Sequence, residues 1–178
     1  MNTPPTASAP PGTSGSAGSS LCLACGLCCN GVLHPYVAVA PHERDLVRSL
    51  GLEVEPSGQG LGFRLPCPLL RDGRCVVYAQ ARPQVCGEYQ CRLLERHRAG
   101  LISLDQARRT IQHLGERLAE VVAQLPAGYS LDQVWRELGE DLDGGSALPG
   151  APLMRHLHGQ WLISVSRMLR FARRHFDP

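Results

Sequence analysis

Four of the eight cysteines fall within eight residues, Cys22, Cys25, Cys28 and Cys29 in the run C-L-A-C-G-L-C-C, and the others follow at Cys67, Cys75, Cys86 and Cys91. Thiols crowded this closely are poor core packing and good soft ligands, since thiolates two residues apart can turn inward on one metal centre. Three cysteines at C-x2-C-x2-C can serve three corners of a cubane cluster, as in bacterial ferredoxins, with a fourth supplied from a distance. Structural zinc sites more often combine two C-x2-C pairs. The downstream half has no such pair; its spacing is C-x7-C-x10-C-x4-C. The triplet therefore tilts the reading towards iron–sulfur, with Zn2+ second.

Adjacent side chains diverge, so Cys28 and Cys29 are expected to face different partners. One arrangement puts Cys22, Cys25 and Cys28 on one site with a remote cysteine and sends Cys29 to the downstream set. Two four-thiolate sites would then use all eight; a single site with spare structural cysteines is the other option. Cys86 and Cys91 would point about 140° apart on a straight helix. Either the segment between them bends, with Gly87 as the place for it, or the two serve separate sites. Gly26 is expected inside the first loop, where backbone amides must approach a metal closely.

Other side chains carry weaker signals. His34 and His42 follow the first cysteine run and are secondary ligand candidates, with thiolates expected to prevail. Arg82, ahead of Cys86, is placed near the site, where it could neutralise an anionic thiolate group. Tyr78 and Tyr89 can pack over the metal as an apolar shell. His97, His113 and His175 read as surface residues, and Arg167, Arg170, Arg173 and Arg174 make the end of the last helix basic, which complements its dipole. No phosphate loop, nucleophile elbow or dinucleotide fingerprint occurs, and Glu43, Glu88 and Glu95 have no evident catalytic partner, so no reaction is assigned.

The chain that must position these groups has 178 residues, 43% hydrophobic and 19% charged, with only 3 Phe, 2 Trp and 4 Tyr. Apolar burial is thin in the cysteine-rich half, and a bound metal would offset that. A net charge of +2 is too small to point to nucleic acid. All 18 basic residues are Arg, which reads as compositional bias rather than function. Residues 1–20 have neither the basic start nor the apolar run of a secretory signal and read as a flexible tail. No stretch reaches the ~18 apolar residues that span a bilayer, so no membrane partner is expected. The expected location is the cytoplasm, where thiols stay reduced and clustered cysteines bind metal rather than pair as disulfides.

Three regions follow: the tail at 1–20, a cysteine-rich metal-binding domain at 21–91 and a helical extension at 92–178. The fold class is mainly α, with an irregular cysteine-rich domain and a small α-helical C-terminal extension. Ser-Leu-Asp-Gln occurs at 103–106 and 130–133, each a capping box that should start a helix. Leu104, Ala107, Ile111, Leu114, Leu118, Val121 and Leu125 form one apolar stripe, ended by Pro126 and Gly128. A shorter helix is expected from Leu131, with Val134, Trp135 and Leu138 inward, and a last one from Leu153 to Phe176. In the cysteine region, 36–39 reads as a strand, 41–50 as a helix closed by Gly51, and 71–74 as a turn. Cys75 to Tyr78 is either extended or the start of a helix.

The combination of C-L-A-C-G-L-C-C, P-C-P-L-L-R-D-G-R-C-V-V-Y and R-P-Q-V-C-G-E-Y-Q-C resembles the YkgJ-type cysteine-cluster proteins, or CxxCxxCC domain, over about residues 22 to 91. The resemblance implies a zinc- or iron-chelating domain, often described as holding an iron–sulfur cluster, and carries the family's cysteine pattern onto all eight cysteines. A related cluster occurs in flagellin lysine methylases. Members often have a basic residue after the third downstream cysteine, where this chain has Gly87. The expected function is metal binding, with a [4Fe–4S] cluster serving a redox or protein-modification role. The alternative is a structural zinc module that engages a protein partner, or a protein that handles zinc or iron.

Overall fold

The computed structural model describes residues 21–57, 60–131, 133 and 159–177. A helical turn over residues 21–25 leads into a loop that carries Cys28 and Cys29. Then come β1 (Tyr36–Val39), a 3-10 turn (Pro41–Glu43) and α1 (Arg44–Ser49). Strands β2 (Glu55–Ser57) and β3 (Gly60–Arg64) follow, and then the short pair β4 (Leu70–Arg71) and β5 (Arg74–Cys75). Helices α2 (Gln84–Glu88), α3 (Arg92–Arg98), α4 (Leu104–Ala123) and α5 (Gly159–Phe176) complete the described chain.

The first sheet is antiparallel in the order β1-β3-β2, with Tyr36 opposite Arg64 and Val39 opposite Leu61. Its edge strand β2 tolerates Pro56 because an edge residue can forgo its ladder donor. Asp72 and Gly73, both at positive φ, close the β4–β5 hairpin. Left-handed backbone at both central residues matches the twist of the flanking strands, which is why Asp-Gly stands there.

Two apolar cores form. The smaller lies under the three-stranded sheet and holds Val39, Val47, Leu52, Phe63 and Leu65. The larger joins Leu21, Leu27 and Val32 of the first cysteine segment to Leu93 and Leu94 of α3, Leu114 and Val121 of α4, and Trp161, Met168 and Phe176 of α5. The α4 stripe is the expected one, and the helix starts at its capping box: Gln106 N–H donates to Ser103 Oγ at 3.1 Å and Ser103 N–H to Gln106 Oε1 at 2.7 Å. The same reciprocal pair joins Ser130 and Gln133. Trp161 Nε1–H donates to the Val121 carbonyl at 3.2 Å, so the indole is buried with its polar atom satisfied.

Helices dominate, as expected. The region between 36 and 75 is less irregular than the sequence suggested, for it holds five short strands. The expected strand at 36–39 and turn at 71–74 are both present. The stretch 41–50 divides into a 3-10 turn and α1, followed by Gly51 at φ +74. Cys75 is extended rather than helical. Most of the helix expected from Leu131 and the first residues of the one expected from Leu153 lie outside the described residues.

Leu114 is fully buried between α4 and its neighbours. Leu114→Ala is expected to cost about 2–5 kcal/mol of unfolding free energy in denaturant titration. The bound metal per folded chain should stay unchanged. A loss below about 1 kcal/mol would mean that this core contributes little to stability.

Candidate metal centre

All eight cysteines are free thiols, and all eight line one cavity of about 360 Å³. Three connections in the backbone bring them there. The helical turn at 21–25 ends in Gly26, whose N–H donates to the Cys22 carbonyl at 3.3 Å, and Cys29 N–H donates to the Gly26 carbonyl at 3.0 Å. This folds the first four cysteines round a tight loop. Cys67 N–H donates to the Cys29 carbonyl at 2.7 Å, which fastens the downstream segment to the end of that loop. The β4–β5 hairpin then presents Cys75.

Gly26 has a structural reason beside the expected one. Its φ is +62, and a Cβ there would stand 2.6 Å from the Gly73 carbonyl oxygen. The residue is small so that the first cysteine loop can seat against the tip of the hairpin.

The thiols fall into two sets by their electrostatic neighbours. Cys22 senses Cys91; Cys25 senses Cys91 and Cys22; Cys28 senses Cys25, Cys91 and Cys22. Cys29 senses Cys67, Cys75 and Cys86, and Cys86 in turn senses Cys67 and Cys75. Packing agrees with this division: Cys22, Cys25 and Cys91 lie against the larger core, and Cys67 against the smaller. Cys29, which also reaches Cys25 and Cys28, marks the junction.

Cys86 and Cys91 fall on opposite sides of the division. The chain between them does turn, though not at Gly87, which lies inside α2 without a left-handed φ. The helix stops at Tyr89, whose φ of −59 and ψ of 125 carry the chain out, and Cys91 becomes the N-cap of α3.

Burial is the main influence on these groups. It pushes the Cys25 and Cys29 thiols up to about 12 and Cys86 to about 11, with neighbouring sulfurs adding to the rise. Cys22, Cys28, Cys67 and Cys91 shift upward for the same first reason. Cys86 has the most exposed residue surface of the eight, yet its side chain still lines the cavity. Such a set of thiols is neutral on its own at physiological pH and ionises when a soft cation displaces the protons.

Arg82 and Arg98 both line the cavity and both favour ionisation of Cys22, Arg98 the more strongly. The Arg82 guanidinium stacks 4.1 Å over the Tyr78 ring and also favours ionisation of Cys29 and Cys86 in the other set. Tyr89 and His34 close the wall beside Cys28 and Cys91. The Tyr89 hydroxyl lies 2.8 Å from His34 Nε2 with the rings edge-on, and burial with Cys28 nearby raises its pKa. His34 is thus engaged with a tyrosine, while His42 sits in the 3-10 turn ahead of α1 and outside the cavity lining. His97 bonds the Ile102 carbonyl, His113 pairs with Glu116, and His175 stacks on Phe171.

The donor set fits a thiophilic metal: eight sulfurs line one cavity, together with the arginines Arg82 and Arg98. Among the described residues, no three His, Cys, Asp or Glu side chains are already closed to the distance at which they would grip an ion. Sequence reasoning missed Glu43, a buried acid whose side chain bonds Gln84 N–H at the start of the Cys86 helix.

No curated protein and no solved structure matches the chain significantly. Among the described residues no helix is long and apolar enough to cross a membrane. A family model does match, from residue 21 to residue 109, which takes in every cysteine and the opening turns of α4. The chain belongs to the CxxCxxCC family, described as a "putative zinc- or iron-chelating domain".

Proposed function

We propose that this chain binds metal through two thiolate quartets, Cys22, Cys25, Cys28 and Cys91 in one and Cys29, Cys67, Cys75 and Cys86 in the other. Each quartet holds an iron–sulfur cluster of the [4Fe–4S] type for a redox or protein-modification role. The supporting observation is a single cavity of about 360 Å³ lined by all eight sulfur-bearing residues. The C-x2-C-x2-C run, with three thiols at the spacing that serves a cubane and a fourth from a distance, favours the cluster over zinc.

When bound, a cluster supplies reversible one-electron exchange at a potential set by charge, burial and hydrogen bonds to sulfur. The chain's own groups then have defined work. Arg82 offsets negative charge from both quartets, Tyr78 holds the guanidinium in place, and Tyr89 with His34 shields the first quartet.

A structural zinc reading has one observation in its favour: the thiols lie where the larger and smaller cores meet, so a metal there would join two apolar bodies, each small alone. In that case the domain would present a protein partner with a rigid surface, or pass zinc or iron on. One experiment separates the readings. Protein purified without oxygen is expected to be brown, to hold iron and acid-labile sulfide in equal amounts, and to bleach with dithionite. Colourless protein with two equivalents of zinc would overturn the cluster reading in favour of zinc.

A further inference from the structure

Glu43 is a buried acid in a turn of the sheet lobe, forty-one positions ahead of Gln84. One side-chain oxygen accepts the Gln84 backbone N–H at 2.6 Å, and the other lies 3.4 Å from the Ala40 N–H. Gln84 is the first residue of α2, and Cys86 lies one residue beyond Val85 on that five-residue helix. No other side chain caps the start of α2; the N-cap is Pro83, which has none to offer. A helix this short cannot hold itself together in water, because nucleation costs more than so few bonds return. What fixes its start also fixes the direction of Cys86.

A buried acid that meets a backbone donor at 2.6 Å is placed for its hydrogen bond.

We infer that Glu43 is a positioning residue for the second thiol quartet: by bonding Gln84 N–H it anchors α2 to the sheet lobe and aims Cys86 at Cys29, Cys67 and Cys75. This rests on the two-quartet reading proposed above. It predicts that the quartet containing Cys86 depends on Glu43 and that the quartet containing Cys91 does not, although the two cysteines are close in sequence.

The test uses the full chain, stripped of metal and titrated with Zn2+ alone. Protection of each cysteine from a maleimide is read by peptide mass. In the unaltered protein, Cys22, Cys25 and Cys91 should become protected together, as should Cys67, Cys75 and Cys86. Glu43→Ala should raise the zinc needed to protect Cys67, Cys75 and Cys86 by tenfold or more and leave the first group within twofold. Glu43→Gln keeps an acceptor for Gln84 N–H and removes the charge, so it should behave like the unaltered chain. Gln84→Pro removes the donor from the other side at a first-turn position that proline tolerates, and it should reproduce Glu43→Ala. It thus keeps the question open to test should the alanine chain not fold. Equal shifts in both groups, no shift in either, or a defect in Glu43→Gln as large as in Glu43→Ala would overturn the positioning role while the quartets stand. Failure of the unaltered chain to show grouped protection would remove the quartets themselves, and the role of Glu43 with them.

Discussion

Replacing Cys25 by serine is expected to remove half of the bound metal and leave the other half in place. Cys25 neighbours Cys22, Cys28, Cys29 and Cys91, and in the proposed division its loss breaks the first quartet. Cys67→Ser should give the complementary half, since Cys67 is tied to Cys29 by a backbone hydrogen bond and neighbours Cys75. The double variant should bind almost nothing. Elemental analysis of anaerobically prepared protein reads the effect directly, and thermal unfolding should fall in step, because metal that binds only the folded chain adds its binding energy to stability. If either single variant loses all of its metal, the eight sulfurs act as one site. If neither loses any, these cysteines are not ligands.

Metal removal should reverse the pH dependence of stability. In the stripped protein, burial holds the Cys86 thiol up to about 11 and those of Cys25 and Cys29 up to about 12, above an unfolded value near 8.5. A group whose folded pKa is raised contributes fully below its unfolded pKa, and that contribution is lost as pH climbs through the folded one. The stripped protein should therefore be steady to about pH 8.5 and weaken from there to about pH 12. In the loaded protein the sulfurs are already ionised and protons compete with the metal, so stability should fall as pH drops from 7 towards 5. Denaturation midpoints collected across this range, with and without a chelator, should give two curves that slope in opposite directions. Curves that run parallel would show that the thiols ionise without regard to metal.

The sequence revealed chemistry more readily than geometry. The crowding of Cys22 to Cys29 is a local signal, and so are the α4 stripe and its Ser103 cap; each could be read from spacing alone. The expected divergence of Cys28 and Cys29 rests on the fact that adjacent side chains point apart, and it enters the proposed division of the sulfurs. The fourth member of each set was not legible. It depends on the turn at Tyr89 that sends Cys86 one way and Cys91 the other, and a tertiary turn leaves no periodic trace. Strands β2 and β3 were missed because Pro56 and the two glycines of Gly60–Arg64 carry weak strand preference; pairing, not propensity, makes them strands. Glu43 was invisible for a related reason, since its partner lies forty-one residues away.

Cys28 and Cys29 share a peptide bond and, in the proposed division, serve different sets of sulfurs. Drift in the length of this chain is therefore unevenly tolerated. A residue gained or lost in the exposed turn at Gly100 alters only a connection. One gained between Cys28 and Cys29 would swing the sulfurs on one side out of alignment with their companions, since the turn there is tight and held by the bond from Cys29 N–H to the Gly26 carbonyl. Insertion is thus tolerated at that exposed turn and not at the Cys28–Cys29 bond.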